Sequence, residues 1–339
     1  MVIRTPALAR LLRPGQTPAR PGGRDWRYAS PMIHPNPLLS RRRFHQVAAA
    51  MAVAPLAACS TPLPLLGTAP AASDNPANNP ARARLLESAR AHGLAAYQGL
   101  TDINVAYAGQ WRPLIGRVQP QVVDAGYRGP SEERLVPALG INAQAFRGPS
   151  GRKQVFWRRG PGEVAVWFNG RASTDDGERS AAAVVAECYG LFLLGPLWLA
   201  DRKLPLEMRG TERVHGRLCD VVDAWLSPGL GRSALDRVSL CIDRDDAVTR
   251  RVRFTLEGYA GTRGAVAETD TFEHRRLFGV LWPMRSYEEV VHPLRLPAHD
   301  WTITGLDVNR GYGPDAVSGP AFSGAAAAPA AALPPAALG

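Results

Sequence analysis

Cysteine is scarce in this chain, with four in 339 residues at positions 59, 188, 219 and 241. That is too few for a disulfide-built scaffold, and no Cys-x-x-Cys or paired Cys/His spacing marks a zinc site. Catalytic signatures are missing as well: there is no Gly-x-Ser-x-Gly, Ser-x-x-Lys, His-Glu-x-x-His or phosphate-cradling glycine loop. Acidic residues are nearly absent from one region. Residues 1–58 hold nine arginines and one acid, Asp25, so eight of the ten net positive charges lie there and two remain for the other 281 residues. A nearly neutral body with both signs interspersed has no electrostatic footprint for DNA or RNA, so no nucleic-acid partner is expected. Long apolar runs are short of what a membrane span needs. Val47–Ala54 is too brief and too alanine-rich to cross a hydrocarbon core of about 30 Å.

What stands in that region is a sorting signal. Ser40-Arg41-Arg42-Arg43-Phe44 precedes the apolar run, and Leu56-Ala57-Ala58-Cys59 follows it. A charged n-region, a short h-region and small residues before a cut read as a secretory signal over 32–58. Arg41, Arg42 and Phe44 match a twin-arginine export motif, which a receptor reads. Leu-Ala-Ala-Cys resembles a bacterial lipobox, making Cys59 the lipidated N-terminus of the mature chain. Residues 1–31, rich in Arg, Pro and Gly, read as a disordered extension that is not native, with Met32 as the true start. Residues 59–80 form a Pro/Ala/Asn-rich tether. Residues 81–312 form the folded domain, and 313–339, almost all Ala, Pro, Gly and Ser, read as a disordered tail.

Within the domain, Asn78 or Asn79 before Pro80 opens a helix that runs to about Tyr97. From Asp102 the period changes to two, with Ile103, Val105 and Tyr107 on one face. Short strands around 121–127, 143–146, 153–158 and 163–168 follow, the last two joined by the turn 159–162. Ser180–Ala200 is apolar on nearly every side, and Glu187 and Gly195-Pro196 interrupt it. A helix of that kind is wholly buried and bent. Strands return with Leu218, Val222, Ala224 and Leu226 facing Val238, Leu240 and Ile242, then at 251–257 and near 265–274, 282–290 and 300–308. The expected class is α+β, mainly β: a single curved antiparallel sheet of about eleven strands forming an incomplete barrel around the inserted helix.

Lipobox, N-terminal helix, consecutive strands and mid-chain helix together resemble the LolA/LolB-like envelope lipoproteins. Gly279-Val280-Leu281-Trp282-Pro283 and the terminal Asn309 are similar to the Gly-x-x-x-Pro strand opening and closing Asn of LolA-like members, over roughly 84–309. That resemblance implies a half-barrel with a greasy cavity and no cofactor. Its candidate lining is Tyr107, Phe156 or Trp157, Trp167 or Phe168, Phe192, Trp198, Phe254 and Trp282. The expected role is non-enzymatic. The chain would be an outer-membrane-anchored periplasmic lipoprotein binding lipid or the acyl chains of another lipoprotein. The rival readings are an envelope hydrolase whose site escapes motif search, and a structural or sensory protein cradling a partner peptide. Cys219 and Cys241 fall on one face of adjacent strands, and a symmetric hairpin about Leu230 sets them opposite each other. Either a bridge closing a loop of about 20 residues or two free thiols fits that pattern. His215, His274, His292 and His299 lack metal spacing and read as surface residues. Glu288 and Glu289 point to opposite faces of a strand. Asp243–Asp246 reads as an acidic hairpin turn rather than a cation site.

Overall fold

The computed structural model describes residues 66–71 and 78–322. The signal residues Arg41, Arg42 and Phe44, the lipobox Cys59, segments 1–31 and 32–58, most of the tether and the tail from 323 lie outside the described residues.

Asn79 caps the first helix, its Oδ1 accepting from the Arg82 amide at 3.1 Å, and Pro80 occupies the first turn. That helix is shorter than expected. Pro80–Ala91 (α1) ends at His92, and Leu94–Gln98 (α2) resumes after Gly93, whose φ of 92° is left-handed. Gly93 touches the Gly279 carbonyl so closely that a Cβ there would come within 2.2 Å of it. Backbone packing, rather than helix propensity, sets the break.

The strands are Ile103–Trp111 (β1), Ser131–Val136 (β2), Ile141–Gly148 (β3), Gly151–Arg158 (β4), Glu163–Phe168 (β5) and Arg171–Ala172 (β6). After the central helix come Leu206–Val214 (β7), Arg217–Leu226 (β8), Asp236–Asp243 (β9), Thr249–Thr255 (β10) and Val266–Phe272 (β11). Arg275–Leu277 (β12) and Val280–Trp282 (β13) form a separate ribbon, followed by Arg285–His292 (β14) and Leu296–Val308 (β15). The other thirteen make one curved antiparallel sheet in the order β6-β5-β4-β3-β2-β1-β15-β14-β11-β10-β9-β8-β7. Two meanders, one from each half of the chain, are zipped together where β1 pairs with β15. The edge strands β6 and β7 do not pair with each other, so the barrel stays open.

The concave face holds Asp176–Leu194 (α5) and Pro196–Ala200 (α6). Asp175 caps α5 by accepting from the Glu178 amide at 2.8 Å, and Gly195 with φ 51° and Pro196 end it. Fourteen consecutive residues from Ala181 to Leu194 are buried, which makes this helix the axle of the core. Leu191 and Leu194 belong to one hydrophobic core with Ile103, Val222, Leu240 and Phe254 from both halves of the sheet. Among the described residues no helix is long and apolar enough to cross a membrane.

Two further expectations are corrected. Residues 121–127 do not form a strand. Pro113–Val118 (α3) and Pro120–Val123 (α4) are helical turns, each started by its proline, and Asp124 with φ 53° ends the second. The strand lies instead at β2, where Glu132, Glu133 and Arg134 obscure the apolar alternation. The tail does not leave the body at 313: Pro314–Val317 (α7) is helical, and Val317 and Phe322 pack onto Val136, Ile141, Ala143 and Phe156. Arg134 sits between them, 3.6 Å from the Tyr312 ring and 5.0 Å from that of Phe322. Of the two readings left open for Cys219 and Cys241, the structure has the free thiols. The β8–β9 register is offset by two residues from a hairpin centred on Leu230, so Cys219 faces Asp243, Cys241 faces Val221, and both thiols are free.

Candidate functional site

Helix α5 divides the concave side into two cavities. Glu187 and Leu194, seven residues apart, share a face, and Tyr189 lies about 200° round from Glu187. Tyr189 helps line one cavity of about 430 Å³, and Glu187 and Leu194 line another of about 410 Å³.

The first cavity is walled by rings. β1 supplies Tyr107 and Trp111, β3 supplies Phe146, α5 supplies Tyr189 and β15 supplies His299 and Trp301. Register explains the convergence, because β1 pairs β15 with Trp111 opposite His299 and Gly109 opposite Trp301. A Cβ on Gly109 would come within 2.6 Å of the Trp301 backbone and Cβ, so this ladder needs glycine to close up. Tyr189 stacks on Trp301 at 5.4 Å and meets Tyr107 edge-on at 5.6 Å. The Tyr189 hydroxyl and His299 Nδ1 are 3.2 Å apart. His299 is buried, which holds its pKa well below the usual histidine value, and the nearby Arg128 and Arg112 charges add to the effect. It is therefore a neutral ring at physiological pH. Arg112, Arg117 and Arg128 also line this cavity, and the Arg128 guanidinium lies 4.1 Å from the centre of the Phe146 ring.

Behind Trp111 and Tyr189 a narrow apolar slot of about 50 Å³ runs between α5 and β14, past Val184, Cys188 and Phe192. Glu288 faces into it. Burial alone pushes that carboxyl up to about 8, so it is uncharged at neutral pH, and burial likewise raises the Cys188 thiol well above its usual range. The slot is thus uncharged throughout, although it contains an acid.

The second cavity is more polar. Glu187 accepts from Arg159 and from the Gly231 amide at 2.5 Å, and Arg159 also donates to the Pro228 carbonyl. Arg202 lies 3.7 Å from the centre of the Trp198 ring, and burial lowers its pKa to about 10. Every charge at this cavity's centre has a protein partner, so it reads as a structural joint between α5 and the loop after β8.

The anticipated lining residues are dispersed. Tyr107 lines the first cavity, Trp157 and Trp198 the second, and Phe192 the slot. Phe254 and Trp282 are sealed in the core, Phe254 against Phe192 at 5.1 Å and Trp282 through its indole N–H to the Leu277 carbonyl at 2.9 Å. Phe168 packs on Tyr127 at 4.8 Å and lines neither cavity nor the slot, and of the alternatives Phe156 is buried beneath the C-terminal segment, with Trp167 packed beside it. Sequence reading missed Trp111, Arg128, Tyr189, Glu288, His299 and Trp301. The alternation of Ala298, Asp300 and Thr302 with His299, Trp301 and Ile303 was the available signal, because it puts His299 on the same face as Trp301. His299 is therefore not a surface residue, and His274 is half-buried with its pKa lowered to about 4, chiefly by desolvation. His215 is the exposed one, paired with Asp270 at 2.9 Å. Asp243 is neutralised by Arg217 and Arg250, and Asp246 pairs with Arg250, as befits a turn. Among the described residues no group of His, Cys, Asp and Glu could hold a metal ion.

No family model and no curated protein matches this chain. Solved structures similar to it include a LolA superfamily protein from Nitrosomonas europaea, at TM-score 0.44 and 10% identity, covering 70% of this chain and 97% of that one. A DUF1329 family protein from Desulfovibrio piger matches at TM-score 0.42 and 12% identity, over 71% and 98% of the two chains. A domain from Vibrio parahaemolyticus named for outer membrane lipoprotein sorting matches at 0.37 and 9%, over 70% and 97%.

Proposed function

We propose that the protein is an envelope lipoprotein, tethered to the outer membrane through Cys59, that binds lipid or the acyl chains of a lipoprotein without catalysing a reaction. The observation that carries this reading is the ring-walled cavity of about 430 Å³ beside α5, with the uncharged slot running on behind Trp111 and Tyr189. Its size falls within the range of small-molecule sites, and its walls are rigid aromatic faces held by strand register. The anchor reading rests on Leu56-Ala57-Ala58-Cys59, and Ser60 rather than Asp after the cysteine supports the outer membrane over the inner.

The test is native mass spectrometry, with lipid extraction, on the wild-type protein purified from its own envelope and on a Cys59→Ala form. A stoichiometric lipid retained by Cys59→Ala is the expected result and names the ligand class. A clean apo mass on that form, with the acyl mass still on wild type, leaves the anchor and removes the carrier.

A further inference from the structure

The wall of the first cavity contains three arginines and no carboxylate. Arg117 stands exposed on α3 at the rim, and Arg112 beside it has Asp300 at 3.6 Å. Arg128 is different. Its Nε donates to the Val123 carbonyl at 2.9 Å and its Nη2 to the Val122 carbonyl at 3.1 Å, which fixes the plane of the guanidinium. The remaining nitrogen, Nη1, is buried and has no hydrogen-bond partner. Among the described residues no carboxylate forms an ion pair with Arg128. The neighbouring cation, Lys153, has its own acid in Asp124 at 2.5 Å. Glu133, which feels the Arg128 charge, is itself pushed up to about 8 by burial and is mostly protonated at neutral pH. The Phe146 and Trp111 faces, 4.1 and 5.6 Å from the guanidinium carbon, offer a quadrupole but no acceptor.

A fixed guanidinium with one idle donor, flanked by rings and lacking a counter-charge, is what an anion completes. Two further cations, Arg112 and Arg117, line the same cavity, and its Trp111 and Tyr189 also border the apolar slot that holds Cys188 and Phe192. We propose that the cavity takes the anionic head group of an amphiphile: a carboxylate or phosphate oxygen accepts from Arg128 Nη1, and the hydrocarbon portion lies on Trp111 and enters the slot. This rests on the lipid-binding reading above and adds the head-group chemistry and the residue that selects it.

The test is calorimetry on the full chain carrying Cys59→Ala, with decanoate, decanol and inorganic phosphate as separate titrants at neutral pH and fixed salt. Decanoate is expected to bind at least about tenfold tighter than decanol, the scale of one charge-assisted hydrogen bond. In Arg128→Met, decanoate should fall to the affinity of decanol, with decanol itself unchanged. Should Arg128→Met not fold, the wild-type comparison of the two titrants decides alone, and Arg117→Gln at the exposed rim should weaken decanoate but not decanol. Equal affinities for decanoate and decanol in wild type overturn the head-group assignment and leave an acyl cavity standing. Binding of neither overturns the lipid reading itself. Phosphate binding as tightly as decanoate marks a free-anion site and overturns the proposal.

Discussion

Trp111 lies flat on His299, their ring centroids 4.5 Å apart and their planes 8° from parallel. The two residues face each other across the β1–β15 seam, where the first and last strands of the sheet meet. Both rings line the ring-walled cavity, and Trp111 also borders the apolar slot. Trp111→Ala should therefore weaken binding of an amphiphile about threefold to tenfold, the usual worth of an aromatic stack, with the far-ultraviolet spectrum unchanged. An unaltered affinity measured by calorimetry would remove this wall from the binding site.

Glu288 ties stability to pH. Its folded-state pKa is raised by burial from 4.5 to about 8, so the folded protein keeps a proton that the unfolded chain releases. Its contribution is complete below about 4.5 and is lost as pH rises through 8, at about 1.4 kcal/mol per pH unit in between. Denaturant unfolding of wild type and Glu288→Gln at pH 5, 6.5 and 8 should show wild type losing ground against the variant at each step. Parallel curves would mean that Glu288 is not held neutral.

Gly93 and Gly279 meet backbone to backbone. Gly93→Ala would drive a Cβ to 2.2 Å from the Gly279 carbonyl while holding a φ of 92°, and should cost roughly 2 kcal/mol or more, or several degrees of melting temperature. Gly170→Ala has a similar φ of 83° but nothing within 4 Å, so it isolates the dihedral penalty. Equal losses in the two variants would show that the close approach does not matter.

Glu187 is the buried acid that fastens α5 to Arg159 and to the loop after β8. Removing it strands the mostly buried Arg159 guanidinium, so Glu187→Ala should destabilise by about 3 kcal/mol or more. The double variant with Arg159→Met should recover part of that loss in urea unfolding, and additive losses would argue against a coupled pair.

The thiols offer a direct check on strand register. With Cys219 opposite Asp243 and Cys241 opposite Val221, a Cys59→Ala chain unfolded without reductant should titrate three free thiols. One thiol would show that Cys219 and Cys241 had bridged.

How much of this was legible in the residues follows from the range of the interactions involved. The ends of α5, the cap at Asn79 and the alternation of β10 depend on contacts a few residues apart: Asp175 reaches Glu178, and Asn79 reaches Arg82. Side-chain type and spacing carry that information directly, and they also marked the inserted apolar helix. The sheet's class followed too, because period-two strands with no intervening helices pair antiparallel. Sites built across the fold were not legible. Tyr189 finds His299 110 residues away, and Trp111 finds it through the pairing of the first strand with the last. Arg128 follows the segment 121–127, which was expected as a strand and which Pro120 opens as a helical turn, and Phe322 packs with Val136, Ile141, Ala143 and Phe156 instead of leaving with the tail. Local propensity and pattern determined which segments became helix or strand. Only the tertiary structure decided which side chains went without water, because burial is a property of neighbours that the chain brings together from a distance. A histidine made neutral, an acid kept protonated and a guanidinium left with one donor idle are all consequences of that burial.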